Sequence, residues 1–217
     1  MLGDVLLSVI EWIGTIVFSA SGALVAIGAG LDFFGVLVVG CITATGGGIM
    51  RDMLIGSVPP VVFSSFEFLI IAVVTAALVF LVAYTHADKF GLFKERIDHI
   101  SILFDALGLG VFTVGGVEHA VAEGCNLVTV LTAGVITGVG GGVLRDILVN
   151  EKPYILTKHI YALASILGCV LYYVIGVYAG HSFIATIVCV LSVLIIRILA
   201  AAYRWELPKV DLIKSKK

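Results

Sequence analysis

The sequence predicts an all-α membrane protein: seven transmembrane helices, built as two inverted three-helix repeats plus a seventh helix. Three observations carry that expectation. Of 217 residues, 60% are hydrophobic and only 13% charged, with a mean hydropathy of +1.17, whereas a soluble domain carries about 25% charged residues. Apolar runs long enough to cross a bilayer as a helix, roughly 20 residues each, follow one another along the whole chain. The stretch Gly46-Gly47-Gly48-Ile49-Met50-Arg51-Asp52 returns as Gly140-Gly141-Gly142-Val143-Leu144-Arg145-Asp146. Seven spans and short loops use up residues 1–217 as a single transmembrane domain and leave no room for a soluble one.

The first span is Val5–Ala29. Met1 to Glu11 contains Asp4 and Glu11 but no lysine or arginine, so it lacks the positive start of a secretory signal and reads as a retained helix. Phe34–Ser57 follows and carries the first glycine triplet; Pro59-Pro60 stops it. Phe66–Thr85 closes the first unit, about residues 5–85. Ser101–Val117, Leu127–Val149 with the second triplet, and Ile160–Ala179 form the second unit, about 101–179, with Pro153 in the place of the earlier prolines. Phe183–Tyr203 is the seventh span. Trp12, Tyr84, Tyr203 and Trp205 lie near span ends, where amphipathic rings suit the interface.

Lysines and arginines between the spans set the orientation. One side holds Lys89, Lys94, Arg96, Arg145, Lys152, Lys158 and the tail residues Arg204, Lys209, Lys214, Lys216 and Lys217; the other holds only Arg51. The C-terminus is therefore expected in the cytoplasm and the N-terminus outside.

Subtracting 46 from 140 gives a fixed shift of 94, at which much more than the triplets coincides. Gly14 meets Gly108, Phe18 meets Phe112, Gly22 meets Gly116, Gly40 meets Gly134 and Thr43 meets Thr137. Arg51-Asp52 meets Arg145-Asp146, Pro59 meets Pro153, and Glu11 meets Asp105. Each unit has three spans, an odd number, so the second lies upside down relative to the first, as in many channels and transporters.

The triplet starts about twelve residues into its span, roughly 18 Å at 1.5 Å per residue, just past the bilayer midplane. Glycine costs about 1 kcal/mol of helix propensity relative to alanine, and an arginine at bilayer depth a few kcal/mol more. Two such elements at equivalent depth point to a pathway. Glycines Gly46, Gly47, Gly48, Gly140, Gly141 and Gly142 are expected to permit a kink or local unwinding, tolerated where backbone faces protein or a water-filled cavity. Freed carbonyls near Gly46 and Gly140 could ligate a monovalent cation. Close helix packing is the competing reading, and the one favoured for the isolated Gly14, Gly22, Gly108 and Gly116.

Arg51, Asp52, Arg145 and Asp146 read either as interhelix ion pairs locking the units together or as charges at two pore mouths. Neighbours on a helix point about 100° apart, so each arginine is expected to pair with another helix instead of its own aspartate, with Glu11 and Asp105 as partners. Thr43, Thr45 and Thr137 either line the path or bond back to their own helix carbonyls. The histidines (His86, His99, His119, His159, His181) fall in loops or at helix ends without HExxH spacing, and Cys41, Cys125, Cys169 and Cys189 show no CxxC pair. No catalytic residue, cofactor or nucleic-acid partner is expected.

Two three-helix units, each with GGGxxRD on its middle helix and a proline seven residues after the aspartate, plus a seventh helix, resemble the bacterial branch of the TRIC (trimeric intracellular cation) channel family. The same sequence domain also carries the label of a glycine-transporter domain. The resemblance implies a homotrimer in the cell inner membrane whose protomers each hold a pore for monovalent cations, chiefly potassium. It implies that the pore is bounded by the second and fifth helices, kinked at Gly46–Gly48 and Gly140–Gly142, with Arg51, Asp52, Arg145 and Asp146 as paired charged positions. The expected function is therefore a passive potassium channel, with K+ or Na+ as permeant ion and the lipid bilayer as its surroundings. The alternative is a secondary transporter of glycine or another small solute.

Overall fold

The computed structural model describes residues 2–86, 94–157, 160–203 and 205. Its elements are α1 (Leu2–Gly28), α2 (Phe33–Ile55), the short α3 (Val61–Ser64), α4 (Phe66–Thr85), α5 (Lys94–Ala122), α6 (Leu127–Leu148), the short α7 (Tyr154–Thr157), α8 (Ile160–Tyr172) and α9 (Ser182–Ala202). A π-helical stretch, Tyr173–Tyr178, continues α8. Seven of these helices, counting α8 with its continuation, are long and apolar enough to cross a membrane, as expected.

The repeat extends to the helix caps. Asp32 caps α2 by accepting the Gly35 N–H at 2.8 Å, and Asn126 caps α6 by accepting the Thr129 N–H at 3.0 Å. These two residues are related by the same shift of 94, and each satisfies a first-turn donor with no partner inside its helix. Each middle helix is followed by a one-turn helix after proline, α3 behind Pro60 and α7 behind Pro153.

Helices α2 and α6 pack antiparallel at the centre, with α1 and α5 beside them. Helix α4 lies against α1 and α2; α8 lies against α5 and α6 in the equivalent place. Helix α9 has no counterpart and covers α5 and α8. The apolar core is accordingly larger in the second unit, where Leu109, Val114, Val130, Tyr161 and Tyr172 meet Cys189 and Val193 of α9. The first unit has a smaller core of Ala23, Ala26, Val36, Val39 and Ala76. Helix α4 leaves Ile70, Val74, Leu78, Leu81 and Val82 exposed, a face suited to hydrocarbon.

One boundary departs from expectation. The fourth span, read as ending at Val117, continues to Ala122, so Glu118 and His119 sit on the last turns of α5 and not in a loop. They are accommodated because the bundle supplies partners: the Tyr172 hydroxyl donates to Glu118 Oε1, and His119 faces Asp52. Lys89, Lys158, His159, Arg204, Lys209, Lys214, Lys216 and Lys217 lie outside the described residues, as do the side chains of Asp4, Lys94 and Arg96.

Candidate functional site

The two glycine triplets meet each other. Helices α2 and α6 stay helical through Gly46–Gly48 and Gly140–Gly142, so of the expected kink or local unwinding the unwinding does not occur. Close approach accounts for five of the six glycines. A Cβ on Gly47 would strike the carbonyl oxygen of Thr137, and one on Gly141 the carbonyl oxygen of Thr43. These are one contact read from its two ends, since the shift of 94 turns Gly47 into Gly141 and Thr43 into Thr137. A Cβ on Gly46 would lie 2.5 Å from Leu144 Cδ1, on Gly140 3.1 Å from Gly47 Cα, and on Gly142 2.6 Å from the Tyr161 hydroxyl. Gly48 alone has room, with its nearest neighbour, its own Arg51 Nη2, at 3.8 Å.

The threonines belong to the same packing. Thr43 donates to the Val39 carbonyl at 2.6 Å, Thr137 to Ala133 at 2.6 Å and Thr45 to Cys41 at 2.8 Å, each four residues back in its own helix. Each oxygen keeps acceptor lone pairs. Thr43 fills the notch left by Gly22, where a Cβ would lie 2.8 Å from Thr43 Cβ, and Thr137 fills that of Gly116 at 2.7 Å. Close packing therefore explains Gly22 and Gly116. It also explains Gly14 against Val111 and Gly108 against Phe18.

A charged cluster lies at each end of the α2–α6 pair. At the Arg51 end, Arg51 Nε donates to Asp52 Oδ1 at 2.8 Å and Nη2 lies 2.7 Å from the same oxygen. Asp52 Oδ2 accepts the Val61 N–H at 2.9 Å, which ties α3 to the end of α2. His119 Nε2 stands 3.6 Å from Asp52 Oδ1. Glu11 lies beside Gly115 of α5, within electrostatic reach of Arg51, but among the described residues no direct ion pair joins the two.

At the Arg145 end, Arg145 Nε donates to Asp146 Oδ1 at 2.9 Å, and Asp146 Oδ2 accepts the Tyr154 N–H at 2.9 Å. Arg145 Nη1 reaches Asp105 Oδ1 at 2.8 Å and Ser21 Oγ at 3.0 Å. The Tyr161 hydroxyl donates to Asp105 Oδ1 at 3.3 Å, and Arg197 Nη2 lies 3.4 Å from Asp105 Oδ2. The guanidinium of Arg197 sits 4.5 Å over the Tyr161 ring and that of Arg145 5.4 Å from the Tyr154 ring. Burial holds the Tyr154 phenol above its ordinary range, so it stays neutral.

Two expectations about these pairs are corrected. Each arginine does bind its own neighbouring aspartate, because the long side chain curls back across the 100° offset. Of the two proposed interhelix partners, Asp105 pairs with Arg145, but Glu11 does not pair with Arg51. Arg197, Tyr161 and Ser21 join the Arg145 cluster without having been singled out, and His119, read as lying in a loop or at a helix end, joins the Arg51 cluster. Arg197 carried a signal, being an arginine inside an otherwise apolar span. Among the described residues no group of three or more His, Cys, Asp or Glu is placed to hold a metal ion.

Two inverted three-helix units, joined at a glycine crossing and closed at both ends by buried charge, define a polytopic membrane protein of the channel or transporter class. A family described as Glycine transporter matches residues 8–84 and 102–176, one stretch in each unit. Curated relatives include a UPF0126 membrane protein of Vibrio cholerae, 36% identical over 93% of this chain and 81% of the relative. The UPF0126 inner membrane protein YadS of Escherichia coli is 36% identical over 91% and 92%. Among solved structures, a prokaryotic TRIC channel crystallised in 0.5 M KCl superposes with a TM-score of 0.83 at 37% identity, over 94% of this chain and 100% of that one. The TRIC trimeric intracellular cation channel orthologue of Rhodobacter sphaeroides gives 0.82 at 26% identity, over 92% and 99%. The chain belongs to this family, that of the TRIC channels and UPF0126 membrane proteins.

Proposed function

We propose that the protein is a passive channel for monovalent cations, chiefly potassium, with one pathway per protomer between α2 and α6 and three protomers per assembly. The single observation that carries this reading is the reciprocal crossing, Gly47 on the Thr137 carbonyl and Gly141 on the Thr43 carbonyl. A contact between bare backbones has few side chains to rearrange, so the two helices can part by a small rotation or bend. Parting exposes carbonyls near Gly46 and Gly140 and the lone pairs of Thr43, Thr45 and Thr137, oxygens suited to replace the hydration of a hard cation. Arg51-Asp52 and Arg145-Asp146 then stand at the two ends as gate charges. The likeness to TRIC cation channels supports the reading, and the name of the Rhodobacter sphaeroides relative supports the trimer.

The assembly sits in the inner membrane, as the name of the Escherichia coli relative suggests. Its N-terminus is outside and its C-terminus cytoplasmic, following the lysine and arginine bias. No enzymatic step is proposed. The second reading, a secondary transporter of glycine or another small solute, draws on the family's description and on the inverted repeat common to both classes. Planar-bilayer recording and proteoliposome uptake separate the two. Unitary current steps under a potassium gradient, without saturable glycine uptake, are expected; saturable uptake without steps sinks the channel.

A further inference from the structure

We propose that His119 of α5 is a proton-driven switch at the Arg51 end: once charged, it takes Asp52 from Arg51, which turns to Glu11. The effect on current rests on the channel reading, whereas the exchange of partners does not. The Arg51 end holds more acid than base. Arg51 is set among Asp52, its neighbour on α2, and Glu11 of α1, while Glu67 of α4 bears on Glu11. On α5, His119 feels Arg51, Asp52 and Glu123, and beside it Glu118 takes the Tyr172 hydroxyl of α8. Among the described residues these are five carboxylates against one arginine, so the cluster has room for a second cation.

His119 is placed to become that cation. Its Nε2 is buried, has no hydrogen-bond partner and stands 3.6 Å from Asp52 Oδ1. An unprotonated ring nitrogen meets a carboxylate acceptor to acceptor, which accounts for a gap too long for a hydrogen bond. A proton on Nε2 turns the same contact into a charge-assisted bond. The side chain is a quarter exposed, so the proton comes from water, and imidazole changes charge between about pH 5 and 8.

The receiving oxygen is already in use. Arg51 Nε and Nη2 both bind Asp52 Oδ1, at 2.8 and 2.7 Å, and Oδ2 holds the Val61 N–H. A charged His119 therefore competes with Arg51 and repels it. Glu11, in no ion pair among the described residues, is the carboxylate within electrostatic reach that receives the guanidinium. The swap alters which helices are tied. Arg51 and Asp52 are neighbours on α2, so their pair joins α2 to no other helix. His119 on Asp52 joins α5 to α2, and Arg51 on Glu11 joins α2 to α1. One pair within a helix becomes two between helices, so acid tightens this end.

In planar bilayers, acidifying both faces from about pH 7.5 to about 5.5, across the imidazole range, should cut open probability roughly fivefold, the low end of coupling between sites. H119Q should lose this response. E11Q, which keeps the histidine tie but gives Arg51 no carboxylate to turn to, should keep only part of it. Amide hydrogen exchange on the same proteins in detergent reads the swap without current. The ratio of exchange over 48–55 to that over 142–149, in which the pH dependence of the exchange chemistry cancels, should fall with acid in wild type and stay level in H119Q. A conducting wild type whose open probability does not fall with acid overturns the switch, as does a wild-type exchange ratio that does not fall, or a fall in either that survives in H119Q. A full response in E11Q overturns the exchange of partners. If wild type carries no current, the channel reading fails and the exchange ratio alone decides the switch.

Discussion

The two ends of the α2–α6 pair descend from one duplicated plan and have been finished differently. Both keep an arginine bound to its neighbouring aspartate, and both use the aspartate's second oxygen to hold the first N–H of the helix behind the proline, Val61 at one end and Tyr154 at the other. Beyond that they diverge. At the Arg145 end the equivalent acid is Asp105, and it carries two arginines and a tyrosine inside the bundle. At the Arg51 end the equivalent acid is Glu11, which stays within electrostatic reach of Arg51 but makes no direct ion pair with it, and the extra neighbour is His119 at 3.6 Å. The difference teaches that duplication sets which charges exist, whereas the unpaired seventh helix sets how tightly one end is held.

The largest expected effect breaks or sharpens this contrast directly. D105N strands two buried guanidinium groups and should cost about 3–5 kcal/mol of stability, read by denaturant unfolding in detergent. D52N frees only Arg51, whose contact network is smaller, and should cost about 1–3 kcal/mol. Equal losses would show that the ends are held alike.

The middle of the molecule should behave symmetrically where the ends do not. G47A and G141A each push a methyl into the partner's carbonyl, and overpacking of this kind costs about 1–3 kcal/mol. The two values should agree within about 0.5 kcal/mol. G48A, with open space around it, should instead gain up to about 1 kcal/mol from helix propensity. A loss at Gly48 as large as at Gly47 would mean that the triplet serves flexibility and not close approach.

Thr43→Val and Thr137→Val each remove a hydroxyl bonded to its own helix, at a cost of about 0.5–1.5 kcal/mol. If these oxygens ligate the permeant cation, the double variant lowers potassium current well beyond what its folded fraction explains; unchanged unitary conductance removes them from the path. The smallest change is expected from His119→Ala. That side chain is a quarter exposed and touches Asp52 only at long range, so its contribution is about 0–1 kcal/mol.

Much of the fold was legible because membrane helices obey simple constraints. Span length follows bilayer thickness, and the repeat shift of 94 read from the triplets also relates the caps Asp32 and Asn126. Pairing of Asp105 with Arg145 followed from the repeat, whereas its counterpart Glu11, one methylene longer, makes no direct ion pair with Arg51 among the described residues. Glu118 and His119 were misplaced in a loop, since polar residues at a span end look identical whether they meet water or partners inside the bundle. The expected unwinding at the triplets was the reading least suited to sequence alone, because a glycine spared for flexibility and one spared for contact are the same residue.

Composition and spacing by themselves determined the class, the seven spans, the inverted duplication and the residues worth watching, since hydropathy, helix pitch and repeat register are properties of the chain as written. Only the tertiary structure decided what those residues touch. The triplets lie backbone to backbone, each arginine turns to its own aspartate, and Arg197 joins Asp105 across 92 positions of sequence. Such contacts depend on how separate helices are set against one another, a distance that no local pattern along the chain encodes.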